Sequence, residues 1–441
     1  MTAASSVQFI EFVHAFGTRL DLPTMERILQ QLGSPHLSLK YIHVAGTNGK
    51  GSTSSFLSAM LIAQGYRTGL FTSPHMHCYT ERIQINGVNI PEDEFNEILQ
   101  TIREIIMPMV YRNECPYPAM FDLMTLMAFV YFGRSSMDYV ILEVGLGGLE
   151  DATNVITDAL AAVITPIDID HVDLLGSDLK QIAAHKAGII KPNRPVVYHY
   201  QPDDADAVIR QTARKMAAPF TCLTHADVNL VSSELSIQGF DLLHPLCPMK
   251  DLKIRMPGKH QAYNAALAAL TLLTLRADGI ICIEDEAIRK GLYNSFWAGR
   301  LEVILHSPLV IIDGAHNLQG AGILRDFLLE HVADKRINFL VGLLNNKDIE
   351  GILHTLMPMG QKLFFTRAHN PKAVDPEILA GQVANLFGKE VFVIDSMLEA
   401  VPAALAQTSI DEVLVITGSL YLVGDAKSIL INIIEHQKEA S

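Results

Sequence analysis

Lys50 stands between Gly49 and Gly51, and the hydroxyl residue Ser52 follows Gly51. Glycines lack the Cβ atoms that keep backbone N–H groups away from a polyphosphate, and a lysine supplies a point charge for its terminal phosphates. A β-branched run precedes this segment and a helical pattern follows it, which presents the positive end of a helix to the same anion. The usual phosphate-loop spacing requires a glycine where Val44 stands. A glycine-rich turn without a ligand is therefore the alternative interpretation.

Acidic and histidine residues follow two further apolar runs. Tyr139–Glu143 is a short apolar run that ends in a carboxylate, and residues 167–173 contain three aspartates and His171. One carboxylate and one imidazole suit a Mg²⁺ ion that keeps waters and phosphate oxygens as its other ligands. The pattern predicts a Mg²⁺ site, and a hydrated acidic loop is the alternative for residues 167–173.

Short apolar runs alternate with helical patterns before and after the only tryptophan, Trp297. This alternation predicts an α/β fold with a doubly wound, mostly parallel sheet, whose ligands gather at the carboxyl ends of the strands. On that topology Ser52, Ser73 and Glu143 converge on one edge. We expect a P-loop-type, ATP-binding domain at 1–296 and a smaller, Rossmann-like α/β domain at 297–441, while residues 191–259 give little indication of their structure. The predicted strands of the second domain are 309–313, 338–342, 362–366, 391–395 and 412–417.

Composition limits the functional class of the chain. The 441 residues carry a net charge of −14, which works against binding to nucleic acid, and 49% are hydrophobic, which is enough to fill two cores. No apolar run is long enough to span a bilayer, and the first residues lack the pattern of a secretory signal. The five cysteines have no paired spacing, so a disulfide framework or a zinc site is not expected. These observations predict a cytoplasmic protein, and we expect a monomer.

The order of the motifs resembles that of the folylpolyglutamate synthase and dihydrofolate synthase family, a branch of the Mur ligases. The resemblance runs from about residue 20 to the last predicted strand, with several independent motifs in register. The matching segments are 44–53, 72–75, 80–83, Phe121 with Asp122 and Thr125, 143–148, 151–154, Asp170 with His171, 185–192, 299–302, 313–317 and 417–421.

The resemblance implies an ATP- and Mg²⁺-dependent ligase of folate biosynthesis and one-carbon metabolism. Such an enzyme joins L-glutamate to the carboxylate of dihydropteroate or of (poly)glutamylated tetrahydrofolate through an acyl phosphate. Two Mg²⁺ ions are expected. The resemblance also implies that Lys186 is carboxylated by CO₂, so that its carbamate ligates or orients the metal.

The resemblance assigns roles to residues by position. Lys50, Lys186 and His316 are the expected catalytic residues, and Ser73, Glu143 and His171 the expected metal ligands. The nucleotide would be held by Gly49, Lys50, Gly51, Ser52, Asn264, Arg300 and Asp313. The pterin would lie near Met25, Glu26, Arg27, Phe121, Asp122, Asp151 and Ala152, and the glutamate side would be formed by His316 and Ser419.

Two departures from the family pattern leave the substrate preference open. The family commonly has Arg-Leu where this chain has Leu149 and Glu150, and a polar residue is usual where Ala119 stands. We expect a bifunctional enzyme, although the departures lie near the predicted pterin pocket. A peptidoglycan-type Mur ligase is one alternative, but about 40 residues before the phosphate loop are too few for its uridine-binding domain. A nucleotide-dependent switch is the other, although residues 345–348 have the wrong spacing for guanine recognition.

Overall fold

A computed structural model describes residues 3–345 and 347–440. Of the predicted domain ranges, residues 1, 2, 346 and 441 lie outside this part. Fifteen helices occur in the described residues: α1 (Ala3–Phe16), α2 (Leu22–Gln31), α3 (Lys50–Gln64), α4 (Glu92–Tyr111), α5 (Met120–Arg134), α6 (Val172–Leu175), α7 (Leu179–Ala187), α8 (Asp203–Lys215), α9 (Lys259–Ala277), α10 (Asp285–Asn294), α11 (Leu318–His331), α12 (Ile349–Leu356), α13 (Pro376–Phe387), α14 (Met397–Ala406) and α15 (Leu420–Ala440).

The first sheet has eight strands and is mostly parallel. Its strands are β1 (Tyr41–Ala45), β2 (Thr68–Phe71), β3 (Ile83–Ile85), β4 (Val88–Asn89), β5 (Tyr139–Glu143), β6 (Ala161–Ile164), β7 (Val196–His199) and β8 (Phe220–Leu223). They lie in the order β4-β3-β2-β5-β1-β6-β7-β8, and β3 is antiparallel to both of its neighbours, β2 and β4. Because β1 lies between β5 and β6, the loops that follow these three strands meet at one edge.

The second sheet was not predicted. It is antiparallel and consists of β9 (Val228–Ser233), β10 (Gln238–Leu242) and β11 (Met249–Ile254). Buried Phe240 and Leu252 belong to the same apolar cluster as the helix α9. The sheet therefore packs on the first domain through one face, although its sequence lacks the long apolar runs of the parallel strands.

The third sheet has six strands and follows Trp297. Its strands are β12 (Glu302–His306), β13 (Leu309–Asp313), β14 (Arg336–Val341), β15 (Gly360–Phe365), β16 (Val391–Val393) and β17 (Glu412–Thr417), in the order β12-β13-β17-β14-β15-β16. All neighbours are parallel except the edge strand β12, which the sequence did not predict. The predicted class, an α/β fold with two mostly parallel sheets, is confirmed.

Buried apolar side chains explain these elements. All five residues of β1, β5 and β13 are buried, as expected for strands covered on both faces by helices. In α5 every residue from Asp122 to Phe132 is buried. No helix within residues 3–345 and 347–440 is long and apolar enough to cross a bilayer.

Candidate functional site

The loop between β1 and α3 forms the floor of a cavity between the two domains. Gly49 precedes α3 with φ of +85°, and a Cβ there would lie 2.5 Å from Oδ1 of Asn264. Only glycine fits both the left-handed backbone and this close approach. The first N–H groups of α3 have no acceptor within the helix, so they face the cavity as donors for an anion. Gly49, Lys50, Gly51, Ser52 and Asn264 all line the cavity.

The side chain of Lys50 folds back onto the loop that precedes α3. Its Nζ donates hydrogen bonds of 3.1 Å to the carbonyl oxygens of Gly46 and Thr47. Burial lowers the pKa of Lys50, while the carboxylates of Glu143 and Asp170 act in the opposite direction. A phosphate group would give this ammonium an ionic partner in place of two neutral carbonyls.

Glu143 ends β5 at the same edge and is buried. Its Oε2 accepts a 3.1 Å hydrogen bond from the backbone N–H of Ser73. Burial raises the pKa of Glu143 to about 7, against the opposing effect of Lys50. A cation bound beside this carboxylate would favour its ionised form.

The three predicted metal ligands, Ser73, Glu143 and His171, line this one cavity. His171 precedes α6 with φ of +53°, and its Nε2 lies 3.7 Å from Oδ2 of Asp170. No group of three or more His, Cys, Asp or Glu side chains in the described residues is arranged to hold a metal. One carboxylate, one imidazole and one hydroxyl fit Mg²⁺, which takes its remaining ligands from water and phosphate, and do not fit zinc.

Lys186 reaches the phosphate loop from the last turn of α7. Its side chain is buried, and Nζ donates a 2.7 Å hydrogen bond to the carbonyl oxygen of Gly46. Burial, followed by the nearby charge of Lys50, lowers the pKa of Lys186 to about 7. A substantial fraction of this amine is therefore unprotonated and nucleophilic at neutral pH.

The second domain closes the cavity with Arg300, Asp313 and His316. Asp313 ends β13, and its carboxylate accepts hydrogen bonds from the backbone N–H groups of Leu301 (2.8 Å) and Ala315 (2.9 Å). Burial raises the pKa of Asp313, and Arg300 is the leading opposing charge. Nδ1 of His316 bonds to the carbonyl oxygen of Gly314 at 2.8 Å. Burial and Lys347 lower the pKa of His316 to about 4, so its imidazole is neutral, with Nε2 as an acceptor.

Ser419 does not line the cavity. Its hydroxyl oxygen accepts a 3.1 Å hydrogen bond from the backbone N–H of Leu422 and so caps the start of α15. The adjacent residue, Leu420, is the one that contributes to the cavity wall.

None of the residues predicted for the pterin side lines the cavity itself. Met25 and Ala152 are buried in an apolar core, and the carboxylates of Asp122 and Asp151 are satisfied within the protein. Asp122 accepts from the backbone N–H groups of Leu20 (2.8 Å) and Ala119 (3.2 Å), and burial raises its pKa to about 6.

Asp151 accepts from the backbone N–H groups of Leu146 (2.9 Å) and Thr153 (3.1 Å), and burial raises its pKa. Glu26 and Arg27 lie on α2. Oε2 of Glu26 accepts a 3.1 Å hydrogen bond from Nε2 of His36, and Arg27 donates to the hydroxyl of Thr24.

Phe121 contacts a residue of the cavity wall. Its ring packs against the backbone of Gly145, which lines the cavity, and a Cβ on that glycine would lie 2.5 Å from Cζ of the ring. The ring centroid also lies 5.6 Å from that of Phe71. Phe121 therefore lies behind the cavity wall, next to the acidic end of β5.

Three polar contacts between the domains, two at the phosphate loop and one at Asp170, were not predicted. The side chain of Asn48, in the phosphate loop, bonds to Gln319 and accepts a 3.1 Å hydrogen bond from Nδ2 of Asn317. Lys347 reaches from the second domain to Asp170, with Nζ 3.2 Å from Oδ1. These pairs join residues 177 to 271 positions apart. Nothing in the sequence pattern signals them, apart from the occurrence of Asn317 and Asp170 in matched motifs.

Two family models match separate parts of the chain. Residues 44–272 match the Mur ligase middle domain, and residues 304–429 match the dihydrofolate synthetase C-terminal domain. The chain is similar to the dihydrofolate synthase/folylpolyglutamate synthase of Bacillus subtilis, with 34% identity over 93% of this chain and 95% of that protein. It is similar to the folylpolyglutamate synthase of Lacticaseibacillus casei, with 32% identity over 96% of this chain and 98% of that protein.

The fold is similar to the solved structure of Mycobacterium tuberculosis folylpolyglutamate synthase complexed with ADP. The TM-score is 0.87 at 31% identity, over 97% of this chain and 98% of that one. Similarity over the full length of both chains shows a shared two-domain fold.

Proposed function

The chain belongs to the folylpolyglutamate synthase/dihydrofolate synthase family of ATP-dependent ligases, and we propose that it joins L-glutamate to the carboxylate of both dihydropteroate and (poly)glutamylated tetrahydrofolate. ATP is the co-substrate, and the activity belongs to folate metabolism. A peptidoglycan-type ligase and a non-catalytic switch are not favoured, because the C-terminal part of the chain is similar to dihydrofolate synthetases.

One observation carries the proposal. A single cavity is lined by the phosphate loop, by a buried carboxylate and by residues of the second domain. Lys50, Glu143 and Asp313 all line it, although they belong to three different strand ends. Acyl activation requires this combination, because the phosphoryl donor, a cation site and the acceptor must meet where water is excluded.

The proposed reaction has two steps. A carboxylate oxygen of the pterin substrate attacks the γ-phosphorus of ATP, the bond to the bridging oxygen breaks, and ADP leaves. The amine of glutamate then attacks the acyl carbon, loses a proton and displaces phosphate. Lys50 stabilises charge on the transferring phosphoryl group. His316 lines the cavity as a neutral imidazole with Nε2 as an acceptor, and its proposed role is to orient the glutamate amine by accepting a hydrogen bond from it.

We assign Ser73, Glu143 and His171 as the residues that hold Mg²⁺, with two ions expected in all. An ion held there would neutralise phosphate charge and help to orient the phosphoryl group. Glu143 supports the assignment, because its buried carboxylate has a raised pKa and gains most from a cation.

Lys186 is proposed to carry a carbamate. The unprotonated Nζ attacks the carbon of CO₂, a nitrogen–carbon bond forms as one C–O π bond opens onto its oxygen, and one proton leaves the nitrogen for solvent, so that a neutral amine becomes an anion. The lowered pKa supports this step because it makes the neutral amine accessible. The nearby cation Lys50 would then face a carbamate instead of a second ammonium.

The substrate range is proposed to include both pterins. The positions of Phe121 and Asp122 support it, while Ala119, Leu149 and Glu150 depart from the usual pattern. Relatives of comparable identity carry either both activities or folylpolyglutamate synthase alone in their names, so overall identity does not decide between them.

We also propose that the enzyme works as a cytoplasmic monomer with domains at 1–296 and 297–441. The boundary falls between α10 and β12, where the chain passes from the first domain to the third sheet. The net charge of −14 supports the absence of nucleic-acid binding. Sedimentation at micromolar concentration should give the mass of one chain, and a dimer mass would contradict this.

Release of ADP tests the proposed function. The purified chain should release ADP from ATP only when L-glutamate and a pterin are both present, and each pterin should be tested separately. Release that is equally fast without any pterin would overturn the ligase assignment. Turnover of tetrahydrofolate without turnover of dihydropteroate would contradict the proposed dihydrofolate synthase activity.

A further inference from the structure

His43 is a fully buried histidine at the centre of β1. Its neighbours across the sheet are Leu142 of β5 and Ala162 of β6, which are both apolar. An apolar side chain would fill this position at lower cost, because a buried polar group loses its hydration. No step of the proposed reaction uses this imidazole directly. Its burial therefore calls for a polar partner inside the protein.

The imidazole of His43 begins a chain of two hydrogen bonds. Its Nε2 lies 2.9 Å from the hydroxyl oxygen of Thr153, and that hydroxyl donates a 2.5 Å bond to Oδ1 of Asp151. Because the hydroxyl proton points at the carboxylate, the hydroxyl oxygen accepts from Nε2, which therefore carries the ring proton. Burial, and less strongly the charge of Lys191, lower the pKa of His43 well below its usual range, so the ring is neutral. Its Nδ1 has no hydrogen-bond partner among the described residues, so the bond to Thr153 fixes the ring.

The carboxylate of Asp151 holds the glycine loop, residues 145–149, from behind. Its Oδ2 accepts a 2.9 Å hydrogen bond from the backbone N–H of Leu146, which lines the cavity. At the other end of the loop, the N–H of Leu149 donates a 2.7 Å hydrogen bond to the carbonyl oxygen of His185 in α7. The glycine loop therefore runs from the acidic end of β5 to the last turn of α7, and Asp151 fixes its path between them.

Charged groups on three other elements face Asp151. Burial raises the pKa of Asp122 in α5, and the charge of Asp151 adds to this. Burial lowers the pKa values of Lys50 in α3 and Lys186 in α7, and Asp151 acts against this. Burial also raises the pKa of Asp151 itself, and the bond from the hydroxyl of Thr153 is the leading opposing influence. Loss of that bond would protonate Asp151 at a higher pH, and a protonated carboxyl has one acceptor site fewer for the glycine loop.

We propose that His43 is a positioning residue of the ligase reaction. Through the hydroxyl of Thr153 it orients the carboxylate of Asp151, and Asp151 in turn holds the glycine loop in the cavity wall. His43 does not line the cavity, so it acts through these two residues. This inference rests on the proposed function, because the glycine loop joins two strand and helix ends that carry residues of that reaction.

NMR of the aspartate carboxylates tests this arrangement without turnover. Aspartate labelled with ¹³C at the carboxylate carbon reports the ionisation of Asp151 in the full-length chain, and Asp151→Asn identifies its signal. Thr153→Val should raise the midpoint of this titration by about 1 pH unit, the value of one hydrogen bond to a charged group. His43→Leu should raise it by about 0.5 unit, because the hydroxyl remains but is no longer held. The double variant should match Thr153→Val alone, because His43 acts through that hydroxyl.

Matched variants show whether the effect belongs to this chain of hydrogen bonds. His43→Gln keeps an N–H near the position of Nε2 and should stay close to wild type. His199→Leu removes another buried histidine of the same sheet, whose Nδ1 bonds to the carbonyl oxygen of Tyr200, and should leave the Asp151 midpoint unchanged. Where His43→Leu does not fold, His43→Asn replaces it, because the shorter side chain withdraws the N–H from Thr153. An unchanged midpoint in the His43 variant used, or an equal shift in His199→Leu, overturns the proposal.

The pH profile of ADP release connects the arrangement to the reaction. At alkaline pH the carboxylate of Asp151 is ionised in every variant, so kcat/KM of His43→Leu should approach that of wild type. On the acid limb it should fall about 3-fold below wild type, the factor that corresponds to a shift of about 0.5 pH unit. A purely structural role would lower kcat/KM by one factor at every pH, and that result overturns the proposal. If wild type releases no ADP, the proposed function fails, and the NMR titration alone decides whether His43 orients Asp151.

Discussion

The residues predicted for phosphate and metal line one cavity, whereas the residues predicted for the pterin lie behind its wall. On the phosphate side, the half-buried Lys50 and the buried Glu143 are ionisable groups whose hydrogen-bond partners are backbone groups. On the pterin side, Asp122 and Asp151 already accept two or more hydrogen bonds from backbone N–H groups.

The carboxylates of the two sides differ in how far their hydrogen bonds are satisfied within the protein. Glu143 accepts one backbone hydrogen bond and lines the cavity, so a cation bound there can offset its burial. Asp122 and Asp151 tie loops to helices and are satisfied without a ligand. Residues of the first kind should change activity when substituted, and residues of the second kind should change stability.

The largest expected effect is on the phosphate side. Lys50→Ala should lower kcat for glutamate-dependent ADP release about 10²- to 10³-fold, because it removes charge stabilisation of the transferring phosphoryl group. Steady-state kinetics with saturating ATP measure it. Lys40→Ala, which changes an exposed lysine just before β1, is the control and should be near wild type. Near-normal turnover by Lys50→Ala would remove the phosphate loop from the mechanism.

Lys186→Ala should lower kcat about 10- to 100-fold, the usual cost of losing a group that orients a metal site. Acetate should restore part of the activity by replacing the carbamate. Lys191→Ala is the control, because that lysine also has a lowered pKa, of about 8, but bonds to Asn154 and Ile156. Equal rescue of both variants, or near-normal turnover by Lys186→Ala, would contradict the carbamate.

Glu143 should make stability depend on pH. Its pKa is raised from 4.5 to about 7, so between these values the folded state binds a proton that the unfolded state has lost. Stability is therefore full below pH 4.5 and falls by about 3 kcal/mol as pH rises through 7.

Denaturant unfolding of the metal-free protein at pH 5 and pH 8 measures this loss. Glu143→Gln should lack that part of the pH dependence and should also lose activity. The same pH dependence in the variant and wild type would show that the pKa of Glu143 is not raised in the metal-free protein. Glu143 would then not differ from the pterin-side carboxylates in needing a cation.

The smallest expected effect is on the pterin side. Asp122→Ala leaves the backbone N–H groups of Leu20 and Ala119 without their acceptor, which should cost about 1 to 3 kcal/mol of stability. Asp122→Asn keeps an acceptor oxygen and should remain closer to wild type in thermal unfolding. An Asp122→Ala protein with normal stability but a raised KM for the pterin would show that this carboxylate binds substrate directly.

Local sequence was sufficient for the buried parallel strands. Tyr139–Glu143, Leu309–Asp313 and Glu412–Thr417 begin and end where the apolar runs predict. These strands are covered on both faces, so each residue contributes to the signal. The glycine-rich turn before α3 was also predicted from local sequence, because the strand, the turn and the helix are contiguous in the chain.

Local sequence was insufficient for strands with one exposed face. In β9 only Val228 is fully buried, and the half-buried β12 pairs with β13 at the edge of its sheet. Such strands carry few apolar residues, and their pairing depends on partners elsewhere in the fold.

The sequence by itself determined the chemistry of the site, since the residue types of the phosphate loop and the acidic strand end specify an anion and a cation. Only the tertiary structure determined the partners and the pKa values of these ionisable groups. Lys186 meets the carbonyl of Gly46 across 140 positions, and Asn48 meets Asn317 across 269. A pKa depends on burial and on neighbouring charges, which arise when distant segments pack together and which residue spacing does not encode.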